Sequence, residues 1–134
     1  MIPACDPWWV IGSTAAMLHG AATEVADVDV LLSVGDGDML DNELSLGLQP
    51  GSGDPVFRSA RYGRWMEPPV PVEFMAALRV RGGDMLAPRT RVPMALFDGT
   101  IIYVPDRAEL IAIFELFGRD KDWARAELLR APGG

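Results

Sequence analysis

Two aspartates one residue apart, Asp27-Val28-Asp29, sit in an apolar run. Alternate side chains of an extended segment share a face, so both carboxylates point the same way. A pair placed like this can bridge two divalent cations ~3.5–4 Å apart, an arrangement that clamps the attacking and leaving oxygens of an in-line displacement. Alone, the pattern is more often a solvated polar face of a half-buried strand. Two further features change its weight. Upstream, Gly12-Ser13 offers a backbone that a phosphate can approach, a hydroxyl, and the free N–H groups of a following helix. By itself that pair reads as a turn capping a helix. Downstream, Glu73 lies in the mainly apolar stretch 70–75, where a carboxylate is costly unless paired or metal-bound. The alternative for Glu73 is an edge strand facing water, or pairing with Arg58, Arg61 or Arg64. Together, Gly12, Ser13, Asp27, Asp29 and Glu73 point to a site for a metal-bound nucleotide.

Positioning these groups requires a short helix, then a strand. Residues 14–20 have helical composition, with Ser13 as N-cap and Gly20 as the stop. Residues 25–32 alternate as a strand, with Asp27 and Asp29 on one face and Val28, Val30 and Leu32 on the other. The Gly- and Asp-rich residues 33–41 predict a turn, followed by a short helical or irregular stretch over 39–48 and a loop over 50–55. Residues 57–66 and 70–78 predict one strand each, with Pro68, Pro69 and Pro71 placing the start of the second near a sheet edge. Residues 79–91 predict an exposed loop, and 92–104 a hairpin turning at Asp98-Gly99. A helix over 106–117 ends at Gly118, and a last helix covers 120–130. This order predicts an α/β or α+β fold, a mixed, mainly antiparallel sheet with helices packed on one face.

The chain has 134 residues, 49% of them apolar, which suits a single domain over 1–134 with one ordinary core. No stretch approaches the ~20 apolar residues a membrane span needs, and the N-terminus lacks the basic region of a signal peptide. The expectation is a soluble, cytoplasmic protein that engages no membrane. Cys5, the only cysteine, fits a small buried residue better than a nucleophile. Net charge −7 argues against non-specific binding to duplex DNA or bulk RNA. Residues 1–57 carry nine acids and no Lys or Arg, whereas 58–91 carry seven arginines against three acids. An acidic, cation-binding half beside an arginine-bearing segment suits a metal-nucleotide site, although ordinary surface charge accounts equally well for any single arginine. A nucleic-acid acceptor would be read locally, by Arg79, Arg81, Arg89 and Arg91. His19 has no histidine partner, and its place just before Gly20 favours a helix-capping role over catalysis. Trp8, Trp9, Trp65 and Trp123 are too scattered to form a base-stacking set.

The run from Trp9 through Gly12-Ser13 to His19-Gly20, followed by Asp27-Val28-Asp29-Val30-Leu31-Leu32, resembles the nucleotidyltransferase superfamily, which has a DNA polymerase beta-like fold. Its pattern is Gly-Gly/Ser, a short helix, Asp-x-Asp/Glu and a third carboxylate on a later strand, which Glu73 fits. Leu110-Ile111 with Gly118-Arg119-Asp120-Lys121-Asp122 is similar to the ending of small stand-alone members, so the resemblance runs from about Trp9 to Leu129. It implies that Asp27, Asp29 and Glu73 hold magnesium or manganese, that Gly12 and Ser13 hold a nucleoside triphosphate, and that Glu73 also activates an acceptor hydroxyl. The implied reaction transfers a nucleoside monophosphate to a protein hydroxyl, a tRNA end or a small molecule. Relatives include catalytic components of toxin–antitoxin pairs and antibiotic-modifying enzymes, so a protein partner or a homo-oligomer is a further expectation. Two departures are visible. Phe114, with Glu115 next, stands where relatives carry a lysine, and Thr23 and Val25 replace the basic residue and threonine that relatives often have ahead of the first aspartate. They leave open a degenerate nucleotide- or partner-binding module of the same fold.

Overall fold

The computed structural model describes residues 6–51, 56–96 and 98–131. Cys5 and positions 52–55 of the expected loop lie outside them. In chain order the elements are β1 (Trp9–Ile11), α1 (Gly12–Leu18), β2 (Val28–Leu32), α2 (Val34–Leu44), β3 (Phe57–Arg58) and β4 (Arg61–Trp65). There follow β5 (Val72–Ala76), β6 (Arg79–Val80), β7 (Val92–Ala95), β8 (Ile101–Val104), α3 (Arg107–Phe117) and α4 (Asp120–Arg130). The fold is mixed α/β, and the pairings β3/β6, β4/β5 and β7/β8 are all antiparallel. Two compact units share the chain. One takes in residues up to Trp8 together with Asp29–Ala87, the other Trp9–Val28 together with the residues from Pro88 onward.

In the first unit β2, β5 and β4 lie side by side in that order. β5 is therefore an interior strand, although its prolines suggested a start near a sheet edge. The reason is position: Pro68, Pro69 and Pro71 all precede Val72, so every residue of the strand keeps its ladder N–H. Phe74 and Ala76 turn one face of β5 into a core with Leu32 and Leu48, against which Trp8, Val30, Leu40 and Trp65 pack. Alternation leaves Glu73 and Met75 on the other face. The expected single strand over 57–66 splits into β3 and β4, and β6, at the start of the expected loop, pairs with β3.

The expected turn over 33–41 is helix α2. Ser33 caps it, accepting from the Asp36 N–H at 3.1 Å. That bond and the packing of α2 on β5 offset the ~1 kcal/mol that each of its two glycines costs. A second close approach depends on Gly63, where an added Cβ would lie 2.4 Å from Leu48 Cδ2. A larger residue here would push the Leu48 side chain aside, and next to Leu48 Gln49 bridges to Tyr62.

In the second unit β7 and β8 form the expected hairpin, closed where the Thr100 N–H donates to Asp98 Oδ1 at 2.9 Å. β1 lies along β8, and α1 packs on α3 and α4. The last two helices stand where the sequence places them. Asp106 caps α3 by accepting from the Glu109 N–H at 2.8 Å, and left-handed Gly118 ends it. Leu110, Ile113, Phe114, Phe117, Ala126 and Leu129 are buried. No helix among the described residues is long and apolar enough to cross a membrane.

Candidate active site

The strand-to-helix turn at Gly12 comes first. Gly12 has φ +70°, a left-handed conformation that favours glycine whether or not a ligand is bound. α1 begins there, two residues earlier than the sequence suggests, and Ser13 is not its cap: Ile11 holds that position without a side-chain hydrogen bond. Ser13 and Thr14 are buried in the first turn, and Ala15 and Ala16 are wholly enclosed, small enough to press the helix into its neighbours. The Thr14 hydroxyl donates to the Asp27 carbonyl oxygen at 3.2 Å, which ties α1 to the segment that carries the first aspartate.

His19 is the C-cap of α1, its N–H donating to Ala15 O at 3.1 Å. Its ring Nε2 lies 2.8 Å from the Pro105 carbonyl, and Arg107 donates to the His19 carbonyl at 2.6 Å. The ring thus joins two parts of the second unit, in keeping with a capping role.

β2 begins at Val28, three residues later than expected, so Asp27 immediately precedes the strand and Asp29 lies within it. One ligand oxygen each from Asp27, Asp29 and Glu73 lies within 4.8 Å of the others, and all three residues are half-buried. Asp29 Oδ1 is sealed from solvent. Two unit charges at such a separation repel by about 3–4 kcal/mol at an effective dielectric constant of ~20. A hard divalent cation, which prefers oxygen ligands, relieves that repulsion. By its donor chemistry the cluster fits magnesium or manganese.

The third carboxylate owes its surroundings to the register of β4 on β5. Arg64 stands opposite Glu73, and Tyr62 opposite Met75, so these four share one sheet face. The Tyr62 hydroxyl donates to Glu73 Oε1. Burial pushes the Tyr62 phenol well above the usual tyrosine range. The bond to Glu73 and the Glu73 charge add to that, Asp29 adds more, and Arg64 opposes it. Of the arginines named as partners for Glu73, Arg61 instead pairs with Asp38 at 3.1 Å, and Arg58 lies in the β3/β6 ribbon. Arg64 and Glu67 also line a groove of about 460 Å³ with Leu44, Ser45, Leu46, Trp65 and Met66.

Sequence reasoning missed Tyr62. Its only signal was alternation with Arg64 in Arg61-Tyr62-Gly63-Arg64, and that becomes meaningful only once the register is known. Two of the four arginines read as acceptor contacts have side-chain contacts within the chain: Arg79 donates to Gly83 O at 3.1 Å, and Arg91 stacks 3.5 Å over the Tyr103 ring. Phe114, at the position where the resemblance led us to expect a lysine, is fully buried.

No protein-family model matches the chain, and no curated protein matches it significantly. Among solved structures, the chain is similar to a protein of Thermotoga maritima whose description as a nucleotidyltransferase is itself provisional. The TM-score is 0.66 at 21% identity, over 92% of this chain and 79% of that one. The chain has the nucleotidyltransferase fold, in line with the sequence expectation.

Proposed function

We propose that the chain acts as one nucleotidyltransferase-like domain that transfers a nucleoside monophosphate from a nucleoside triphosphate to an acceptor hydroxyl. The observation that carries this reading is the convergence of Asp27, Asp29 and Glu73 within 4.8 Å, on the fold just described. Asp27, Asp29 and Glu73 are the ligands assigned to magnesium or manganese, and Gly12 and Ser13 are assigned to the triphosphate. Bound metal would supply positive charge against the phosphate oxygens as negative charge shifts onto the leaving group. Glu73 takes the proton of the acceptor hydroxyl, the acceptor oxygen bonds to the α-phosphorus, and the bond from that phosphorus to the bridging oxygen breaks. Pyrophosphate leaves with the electron pair of that bond.

The test is incubation of the purified chain with α-labelled triphosphates, magnesium and a bacterial lysate. Label in protein, tRNA or small-molecule fractions, with pyrophosphate released, identifies the acceptor class. A protein acceptor would be the outcome to follow for a place in a toxin–antitoxin pair. A second reading is favoured by Phe114, whose burial leaves no cation at the position of the relatives' lysine: a module that binds metal-nucleotide or a partner without turnover. Nucleotide binding with no label in any fraction would replace the first reading with the second.

A further inference from the structure

We infer that Tyr62 is a positioning residue for the carboxylate cluster: its hydroxyl, by donating to Glu73 Oε1, fixes the carboxylate that Glu73 presents to a divalent cation. The inference rests on the metal-binding reading above and adds to it a residue outside the carboxylate set.

The backbone of Tyr62 is held from both sides. On one it pairs with Met75 of β5. On the other it is bridged by Gln49, whose N–H donates to Tyr62 O at 2.9 Å and whose carbonyl accepts from the Tyr62 N–H at 2.7 Å. Gly63 leaves room for the side chain of Leu48, next to Gln49. The phenol is thus a fixed post on the face that carries Glu73.

Glu73 needs such a post more than the aspartates do. Asp27 and Asp29 have short side chains set by the strand and its entry. A glutamate has one more torsion, and ordering a side chain of its type costs up to about 1.5–2 kcal/mol in rotamer freedom. A donor already in place meets part of that cost during folding, so less of it falls on metal binding. Groups that orient metal ligands in this way typically change metal affinity 10–100-fold when removed.

The test measures Mn²⁺ affinity of the full chain without nucleotide, by electron paramagnetic resonance, for wild type, Tyr62→Phe, Glu73→Ala and the double variant. Tyr62→Phe is expected to weaken Mn²⁺ binding 10–100-fold with an unchanged far-UV spectrum. In the Glu73→Ala background the same substitution should add less than a twofold change, because the tyrosine acts through the glutamate. Tyr103→Phe should change nothing. An affinity for Tyr62→Phe within twofold of wild type, or an equal loss in both backgrounds, overturns the inference. Tyr62→His keeps a ring donor on a shorter arm and should fall between wild type and Tyr62→Phe; it carries the same cycle if Tyr62→Phe does not fold. A wild-type chain that binds Mn²⁺ no better than Asp29→Asn defeats the metal reading itself and this inference with it, an outcome distinct from the failure of Tyr62→Phe in a chain that does bind.

Discussion

Two clusters of polar groups in this molecule deal with enclosed acids in opposite ways. At the start of α4, Asp122 is fully buried, but Arg119 holds it through Nε at 2.6 Å and Nη2 at 3.0 Å, and Arg125 lies at 3.9 Å. Its carboxylate also accepts from the Arg119 backbone N–H at 3.2 Å. One acid is matched by two cations, and the result is a well-defined helix start. Around Glu73, three acids are gathered into a space where each adds to the repulsion on the others, and a neutral phenol helps hold one of them. The first arrangement is complete in the apo chain. On the metal-binding reading proposed above, the second would lower its energy when a cation arrives, which is how a binding site differs from a structural ion pair.

The sharpest way to break this contrast is to put a cation at Phe114, on the buried face of α3. Phe114→Lys removes a buried aromatic ring, worth about 3–5 kcal/mol, and encloses an ammonium group as well. We expect loss of the cooperative urea transition and no gain in nucleotide affinity; a folded variant with tighter triphosphate binding would show that α3 borders the site. Glu73→Gln comes next. It should lower label transfer by roughly 10²–10⁴-fold while the melting temperature stays level or rises, since a source of repulsion is removed. Single-turnover transfer and thermal melts report the two effects separately.

Asp122→Ala should do the reverse. Removing one partner of a buried ion cluster costs about 3–5 kcal/mol, read as a shift of the urea midpoint, and leaves Mn²⁺ affinity of the folded fraction unchanged. The smallest effect concerns Glu109. Burial by itself would raise its carboxyl, but donors from the Arg89 N–H, the Thr90 hydroxyl and the Thr90 N–H hold it below the ordinary value of 4.5. A carboxyl lowered on folding stabilises above its unfolded pKa and loses that contribution as pH falls through the folded value. Glu109→Gln should therefore cost about 0.5–1.5 kcal/mol at pH 7 and nothing at the acid end, checked by urea unfolding across that range.

Legibility in the sequence followed the range of the interactions. The α3 limits could be read because its caps, Asp106 and Gly118, are local, and the β7/β8 hairpin because Asp98-Gly99 sits in its turn. The three acids could be nominated one by one from period two and from the cost of a carboxylate among apolar neighbours. What stayed hidden depends on partners distant in sequence: β5 as an interior strand, α2 sustained despite two glycines by packing on β5, and Tyr62 reaching Glu73 across a register that no local pattern encodes. Ser13 illustrates the opposite error, a good local capping signal overridden because the helix starts at Gly12.

The way the second unit is assembled from separate stretches bears on how the protein is made. Trp9 Nε1 donates to Thr90 O, 81 positions later; the His19 ring meets Pro105, 86 later; and the His19 carbonyl is held by Arg107, 88 later. At a synthesis rate of ~5–20 residues per second, β1 and α1 leave the ribosome on the order of ten seconds before the residues that fasten them exist. Through that interval Val10, Ile11, Ala15 and Ala16, all buried in the finished fold, lack part of their cover. Over that time β1 and α1 are therefore open to chaperones and to aggregation.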